Sequence, residues 1–402
     1  MFIKNSLKIN ENVMLFLFYQ AVYFFGSSFI SCAIIWHIHN KSESGILLLF
    51  ATICGFIPQI LISLFAGVLV DKYNKKKLLI YSNLIVFTSA IIIGSLFLFK
   101  INSLVLLLIL LIIRSFCSGI ISPCAHSFVP EITRGDNLMK INGISAAIQS
   151  ILLLSLISVN DFGLGNISFL SILFIDIIIA LIGIFFLFFI KYDSEEKLNK
   201  VLTHHFIKEG FDYLKNNIYI KEILIYNIIL IFLTTLVSTL TPIMVNHTFG
   251  NDHLLLDFNE ILFLIGGFLG GLIVSKWKGL KNKIEMILLG CFLSGIFMIL
   301  MGVFPQIIIF LITVGLTGFS VSFINVSFVT IFQKKVISSM HGRVFSIFQI
   351  FSSLILPFSM VIRWMVSIST NVKIEYVLSI IGILYLVVTG FILVDKKINY
   401  SK

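Results

Sequence analysis

The sequence predicts an all-α membrane protein, with twelve transmembrane helices in two six-helix, pseudo-symmetric bundles. Three observations carry this. The 402 residues are 58% hydrophobic and 12% charged, with mean hydropathy +1.07, more apolar surface than a soluble chain of this length can bury. Twelve apolar runs are each long enough to span the hydrocarbon, which takes about 20 helical residues. A glycine-led step after the second run recurs, degraded, after the eighth.

In order, the runs fall at roughly 14–36, 45–70, 78–99, 104–129, 140–159 and 167–190. After a polar stretch they resume at roughly 220–246, 257–275, 284–303, 305–333, 343–366 and 374–394. The fifth and eighth are the shortest, and the first and fourth are expected to extend past the hydrocarbon. Lys4 and Lys8 precede the first run, but it is too long for a signal-peptide core and no A-x-A site follows, so it is read as a retained span. Between the sixth and seventh runs, Lys191 to Glu222 carries Asp193, Glu195, Glu196, Lys197, Lys200 and the pair His204-His205. Its later part has apolar residues at Phe206, Ile207, Phe211 and Leu214, the spacing of an amphipathic helix lying on the membrane surface. The expected organisation is a six-helix bundle over 1–190, a cytoplasmic linker over 191–219 and a second bundle over 220–402.

The net charge of +10 reads as topology, not as nucleic-acid affinity. With the N-terminus placed inside, 24 of the 29 Lys and Arg fall on inner segments. Only Lys41, Lys100 and Lys373 fall on outer loops, and Arg114 and Arg363 lie within spans. The positive-inside rule then puts both termini in the cytoplasm, in a plasma (inner) membrane. The five cysteines, Cys32, Cys54, Cys117, Cys124 and Cys291, all fall within spans at unrelated spacings, with no disulfide framework and no metal pair.

The most specific stretch follows the second run: Gly67-Val68-Leu69-Val70-Asp71-Lys72-Tyr73-Asn74-Lys75-Lys76-Lys77. Its partial copy is Gly271-x-x-x-Ser275-Lys276, in which serine replaces the aspartate. Related halves of six helices are how many secondary transporters are built, with substrate bound near the midplane. The stretch resembles the signature after the second helix of the major facilitator superfamily, Gly-x-x-x-Asp-(Arg/Lys)-x-Gly-(Arg/Lys)-(Arg/Lys). Gly67, Asp71, Lys72, Lys75 and Lys76 match it, and Asn74 stands at the second glycine, where a residue tolerant of a left-handed turn is expected. The resemblance implies that Asp71 faces the N-terminus of the eleventh span, near Gly342-Arg343, in a contact made and broken during transport.

Further segments resemble the macrolide-efflux-type members of that superfamily. They are Tyr19-Gln20-Ala21 and Gly26-Ser27-Ser28 in the first span, and Arg114-Ser115, Pro123, Pro130-Glu131 and Asn142-Gly143 around the fourth and fifth. Ile175-Asp176, Glu209-Gly210-Phe211 and Gly342-Arg343-Val344-Phe345 with Pro357 complete the series. Drug–proton antiporters of the superfamily usually carry a Gly-Pro pair in the fifth helix. Here Ile148 to Val159 has neither residue.

Two charges lie at mid-depth. Arginine at a helix centre costs about 2.5–3.5 kcal/mol on insertion scales, so Arg114 is expected to face a cavity or a partner. The resemblance links this arginine to proton coupling or an anionic substrate; a structural ion pair is the alternative. Asp176 sits among isoleucines and phenylalanines in the sixth span, either as a coupling carboxylate or as a packing group. Glu260, with Asp257 before it, reads as a helix-start charge, and Arg363-Trp364 as an interface anchor. Polar residues in the first, seventh, tenth and eleventh spans include Ser27, Ser31, Asn227, Thr234, Ser238, Ser320, Asn325, Gln349 and Ser353. With Gln20, these are candidates to touch substrate, or equally to bond helix to helix.

There is no G-x-x-x-x-G-K-[ST] phosphate loop, no H-E-x-x-H and no G-x-S-x-G elbow, so neither ATP-driven pumping nor enzymatic chemistry is expected, and no cofactor or metal is implied. The expected function is secondary transport: export of an amphipathic small molecule, driven by an ion gradient, protons or sodium. An uptake symporter of the same fold, or a non-transporting receptor or immunity protein, remains open, as does the oligomeric state.

Overall fold

Short polar residues start several of the helices. Asn74, Ser103, Ser168 and Asn282 each stand in extended backbone just before an apolar run, and each side-chain oxygen accepts a backbone N–H from the first turn. In the computed structural model, described here for residues 10–41, 45–101, 103–133, 137–162, 168–192, 206–250, 253–277, 282–368 and 373–395, thirteen α-helices follow. They are α1 (Glu11–Lys41), α2 (Gly45–Lys72), α3 (Lys75–Leu98), α4 (Leu104–Ile132), α5 (Leu138–Phe162) and α6 (Phe169–Phe189). Next come α7 (Phe206–Asn216), α8 (Ile218–Met244), α9 (His253–Trp277), α10 (Lys283–Val303), α11 (Ile307–Lys335), α12 (His341–Ile368) and α13 (Ile374–Val394). Twelve are long and apolar enough to cross a membrane; α7 is the short linker helix, so the seventh span is α8 and the eleventh is α12. No strand occurs among the described residues. Helices satisfy their own backbone hydrogen bonds, the condition a lipid solvent imposes.

The helices over the first and fourth runs have 31 and 29 residues. Of the two runs expected to be shortest, the fifth is the shortest candidate span among the described residues, Leu138–Ile157 with 20. The eighth, Leu254–Trp277, has 24 and is longer than three others with 21; the full helices α5 and α9 have 25 each. Polar residues at the ends of α5 and α9 hide helix that hydropathy alone does not count. Lys4, Lys8, the linker residues 193–205 with His204-His205, and Lys281 lie outside the described residues.

The sixth span, α6, has one exposed and one buried face. On α6, Phe174, Ile178, Leu181, Phe185 and Phe188 form a stripe 48–72% exposed. The opposite face, Leu173, Asp176, Ala180, Gly183 and Leu187, is buried.

The helices gather in two compact units. The first holds α1–α4, α6, the linker up to Gly210, and residues 337–349, which include the start of α12. Within it α2 packs on α4, α1 on α6, and α3 on both α4 and α6. The second holds residues 138–157 of α5, the chain from Phe211 to Val336, and the rest of α12 with α13. There α9 packs on α11 and α10 on α13 and α11. The α9–α11 crossing is close because it is lined with glycine: a Cβ on Gly266 or Gly318 would overlap the carbonyl oxygens of Gly315 and Phe263. Across this seam Ser322 Oγ donates to the Gly267 carbonyl at 2.9 Å.

Candidate functional site

The first unit brings the end of α2 against the start of α12. Gly67 makes the approach possible: a Cβ there would lie 2.7 Å from Arg343 Cα and 3.0 Å from its nitrogen. Gly342 is equally constrained, since its Cβ would meet the Gly67 carbonyl oxygen and come within 2.8 Å of Asp71 Oδ1. One turn on from Gly67, the Asp71 carboxylate accepts the backbone N–H of Gly342 at 2.6 Å and of Arg343 at 3.3 Å. The Asp71 carboxylate thus lies at the helix start that the family resemblance implies. These two N–H groups open a helix and have no intrahelical acceptor, and the helix dipole favours a carboxylate there. Arg343 Nε is 3.8 Å from Asp71 Oδ2, while Arg343 Nη1 reaches Glu209 Oε2 on α7 at 2.7 Å. The start of α12 is also held by α4: Ser122 Oγ donates to Gln349 Oε1 at 2.7 Å, and the rings of His126 and Phe345 stack with centroids 5.2 Å apart.

The basic residues of the motif do different work. Lys75 is 6% exposed and its Nζ lies 2.5 Å from Glu131 Oε1; Glu131 also accepts the Tyr192 hydroxyl. Lys76 Nζ donates to the carbonyls of Phe188 and Ile190 at 3.0 and 2.7 Å, closing the C-terminus of α6. Lys72 Nζ lies 5.7 Å from the centroid of the Tyr73 ring. Asn74 is not in a left-handed turn. Its φ is −61° and ψ 116°, and its side chain accepts from Lys77 N to cap α3. The position needs an acceptor for an orphan N–H, which glycine lacks and asparagine supplies.

At mid-depth in the same unit, Arg114 and Asp176 are partners. Arg114 Nη1 donates to both carboxylate oxygens at 2.7 and 2.6 Å, and Nη2 to the Gly26 carbonyl at 3.3 Å. The side chains are 7% and 2% exposed. Arg114 Nε has no hydrogen-bond partner. Beside the pair is a cavity of about 20 Å³ lined by Tyr23, Ser27, Asn83 and Ser118, room for about one water. Tyr23 Oη and Ser118 Oγ are 2.9 Å apart in its wall.

The other candidates scatter. Gln20 is buried on α1, and Ser31 is half-buried there. In the second unit Asn227 is 2% exposed, with an amide oxygen lacking a partner. Thr234 bonds the Leu230 carbonyl and the Tyr385 hydroxyl, at 2.8 and 2.6 Å, and so joins α8 to α13. Asn325 is exposed on α11. Two residues of the first unit, Glu131 and Glu209, were not foreseen as site residues, although both stand in segments that carry the family resemblance.

The partial copy keeps the close crossing and loses the carboxylate. A Cβ on Gly143 of α5 would lie 2.8 Å from the Gly271 carbonyl oxygen and 2.9 Å from Ser275 N. Ser275 Oγ turns back to the Leu272 carbonyl of its own helix at 2.7 Å. Here the cross-helix bonds come instead from Asn142 Nδ2, which donates to Gln333 Oε1 at 2.7 Å and Thr330 Oγ1 at 3.0 Å.

Solved structures share this fold. The human organic anion transporter MFSD10 superposes with a TM-score of 0.77 at 11% identity, covering 96% of this chain and all of that one. The fucose:proton symporter of E. coli gives 0.72 at 13%, covering 95% and 96%. Among sequence relatives, macrolide efflux protein A of Streptococcus pyogenes is 25% identical over 348 residues, 85% of this chain and 86% of its own. Its namesake in Enterococcus faecalis is 25% identical over 316 residues, 77% and 98%. The staphyloferrin A transporter of Staphylococcus aureus is 23% identical over 350 residues, 81% and 84%. The family model described as Major Facilitator Superfamily matches residues 16–360, and the chain belongs to that superfamily: it is a multi-pass membrane transporter and not an enzyme.

Proposed function

We propose that this transporter exports an amphipathic small molecule of macrolide type, by alternating access driven by a proton gradient, from a plasma membrane with both chain termini cytoplasmic. Efflux of such a compound would give antibiotic resistance. The observation that carries the transport reading is the Asp71 carboxylate seated on the N-terminus of α12. A buried carboxylate held by two N–H groups and a helix dipole is strong enough to favour one state and weak enough to release. In this reading Gly67, Asp71, Gly342 and Arg343 form the latch. Lys75 and Lys76 brace it, the one through Glu131 and the other through the end of α6, with Lys72 beside them. Outward direction is supported by the relatives named for macrolide efflux. Coupling is assigned to the Arg114–Asp176 pair. The two charges hold each other away from solvent inside the bundle, and a pair of this kind within membrane-spanning helices marks an ion or substrate path. Ser27, beside that pair, and Gln20, Ser31, Asn227, Thr234 and Asn325 are the candidates for substrate contact.

The test is accumulation of radiolabelled erythromycin and of a cationic dye in cells with and without the chain, before and after a protonophore. Lower accumulation that the protonophore abolishes supports the reading. Equal accumulation for both probes, or higher accumulation with the chain, contradicts it.

A further inference from the structure

We propose that Glu209 is a positioning residue for the Asp71 latch, drawing the Arg343 guanidinium onto the linker helix and so keeping the latch weak enough to open. Arg343 stands between two carboxylates that hold it unequally. Its Nη1 is 2.7 Å from Glu209 Oε2, whereas its Nε is 3.8 Å from Asp71 Oδ2 and has no hydrogen-bond partner. Asp71 is thereby left mainly to the backbone N–H groups of Gly342 and Arg343. A guanidinium and a carboxylate can instead pair through two parallel hydrogen bonds. Asp71 and Arg343 are 6% and 14% exposed, so such a pair would be poorly screened and slow to break.

The linker helix is built to sit at this place. Gly210, next to Glu209, faces α12: a Cβ there would come 3.2 Å from Ile347 Cδ1 and 3.5 Å from Arg343 Cβ. Glu209 is 40% exposed, which moderates its pull. A single residue, Asn217, separates α7 from α8 in the chain. The linker thus sets how firmly the latch closes, a role that rests on reading Asp71 as a latch.

The experiment uses the full chain in lipid nanodiscs, its five cysteines replaced by serine, with spin labels at Tyr73→Cys and Ile337→Cys. Both positions are exposed, 45% and 52%, and flank the latch. Pulsed electron resonance then gives the distance distribution between the labels. With Glu209→Gln the short-distance fraction should rise severalfold, Glu209→Asp should restore the original distribution, and the rise should vanish in an Arg343→Gln background. An unchanged distribution, a shift to longer distances, or a rise that persists with Arg343→Gln overturns the proposal. Asp71→Asn alone should lengthen the distance. If it does not, the latch reading itself fails; if it does while Glu209→Gln changes nothing, only the role of Glu209 fails.

Discussion

Replacing Asp71 with asparagine keeps the shape of the side chain and removes its charge. The carboxylate accepts N–H groups at 2.6 and 3.3 Å at the start of α12. The side chain is only 6% exposed, so the upper end of the helix-dipole range, about 2 kcal/mol, applies. Asparagine retains one acceptor oxygen and none of the charge. A loss of about 2 kcal/mol corresponds to about 30-fold in the ratio of latched to unlatched protein. No packing atom is lost, so insertion and abundance should be unaffected. The assay is the initial rate of erythromycin efflux from preloaded cells, with membrane abundance matched by immunoblot. A clear fall in rate at equal abundance is expected. An unchanged rate would refute the reasoning that the carboxylate biases a transport state.

Further outcomes are expected from the same geometry. Arg114→Ala strands the Asp176 carboxylate at 2% exposure, a loss of about 3–5 kcal/mol, and should lower protein abundance and abolish gradient-driven export. Adding Asp176→Asn should restore abundance but not export; wild-type accumulation in the double variant would make the pair purely structural. Gly67→Ala places a methyl 2.7 Å from Arg343 Cα, so the helices must part; it should impair efflux as Asp71→Asn does, and the double variant should be no worse than either. Glu131→Gln removes the charge facing buried Lys75 and should cost about 1–3 kcal/mol, seen as a lower melting temperature of the solubilised protein.

Much of this was legible in the residues. The apolar runs gave the twelve spans because lipid leaves a helix few alternatives. Asp71 could be aimed at Gly342-Arg343 because the motif resembles a family signature whose aspartate faces that helix start; the motif's own residues do not say which helix, 271 positions on, it meets. The pairing of Arg114 with Asp176 was not drawn, although its signs were present. Both are lone charges at mid-depth, and Asp176 shares a face with Ala180 and Gly183, opposite the stripe of Phe174, Ile178 and Phe185. Deciding that two such residues meet requires knowing that α4 and α6 share a bundle core, which periodicity within one helix cannot supply. Asn74 was misread because a turn glycine and a helix cap occupy the same place in a motif; only backbone angles separate them. Lys75 was singled out as a motif residue, but nothing in the motif pointed to its burial against Glu131. Thr234, a substrate candidate as a polar residue of the seventh span, shares its hydroxyl with Tyr385.

The proposed cycle moves a small amphipathic molecule outward, driven by a gradient, through a latch that opens and closes. Uptake of radiolabelled erythromycin into everted membrane vesicles tests it most directly. On energising the vesicles to acidify their interior, those containing the chain should accumulate the label. A protonophore should release it, and Asp71→Asn vesicles should accumulate it more slowly. Accumulation indifferent to the protonophore, or none above vesicles without the chain, would contradict the account.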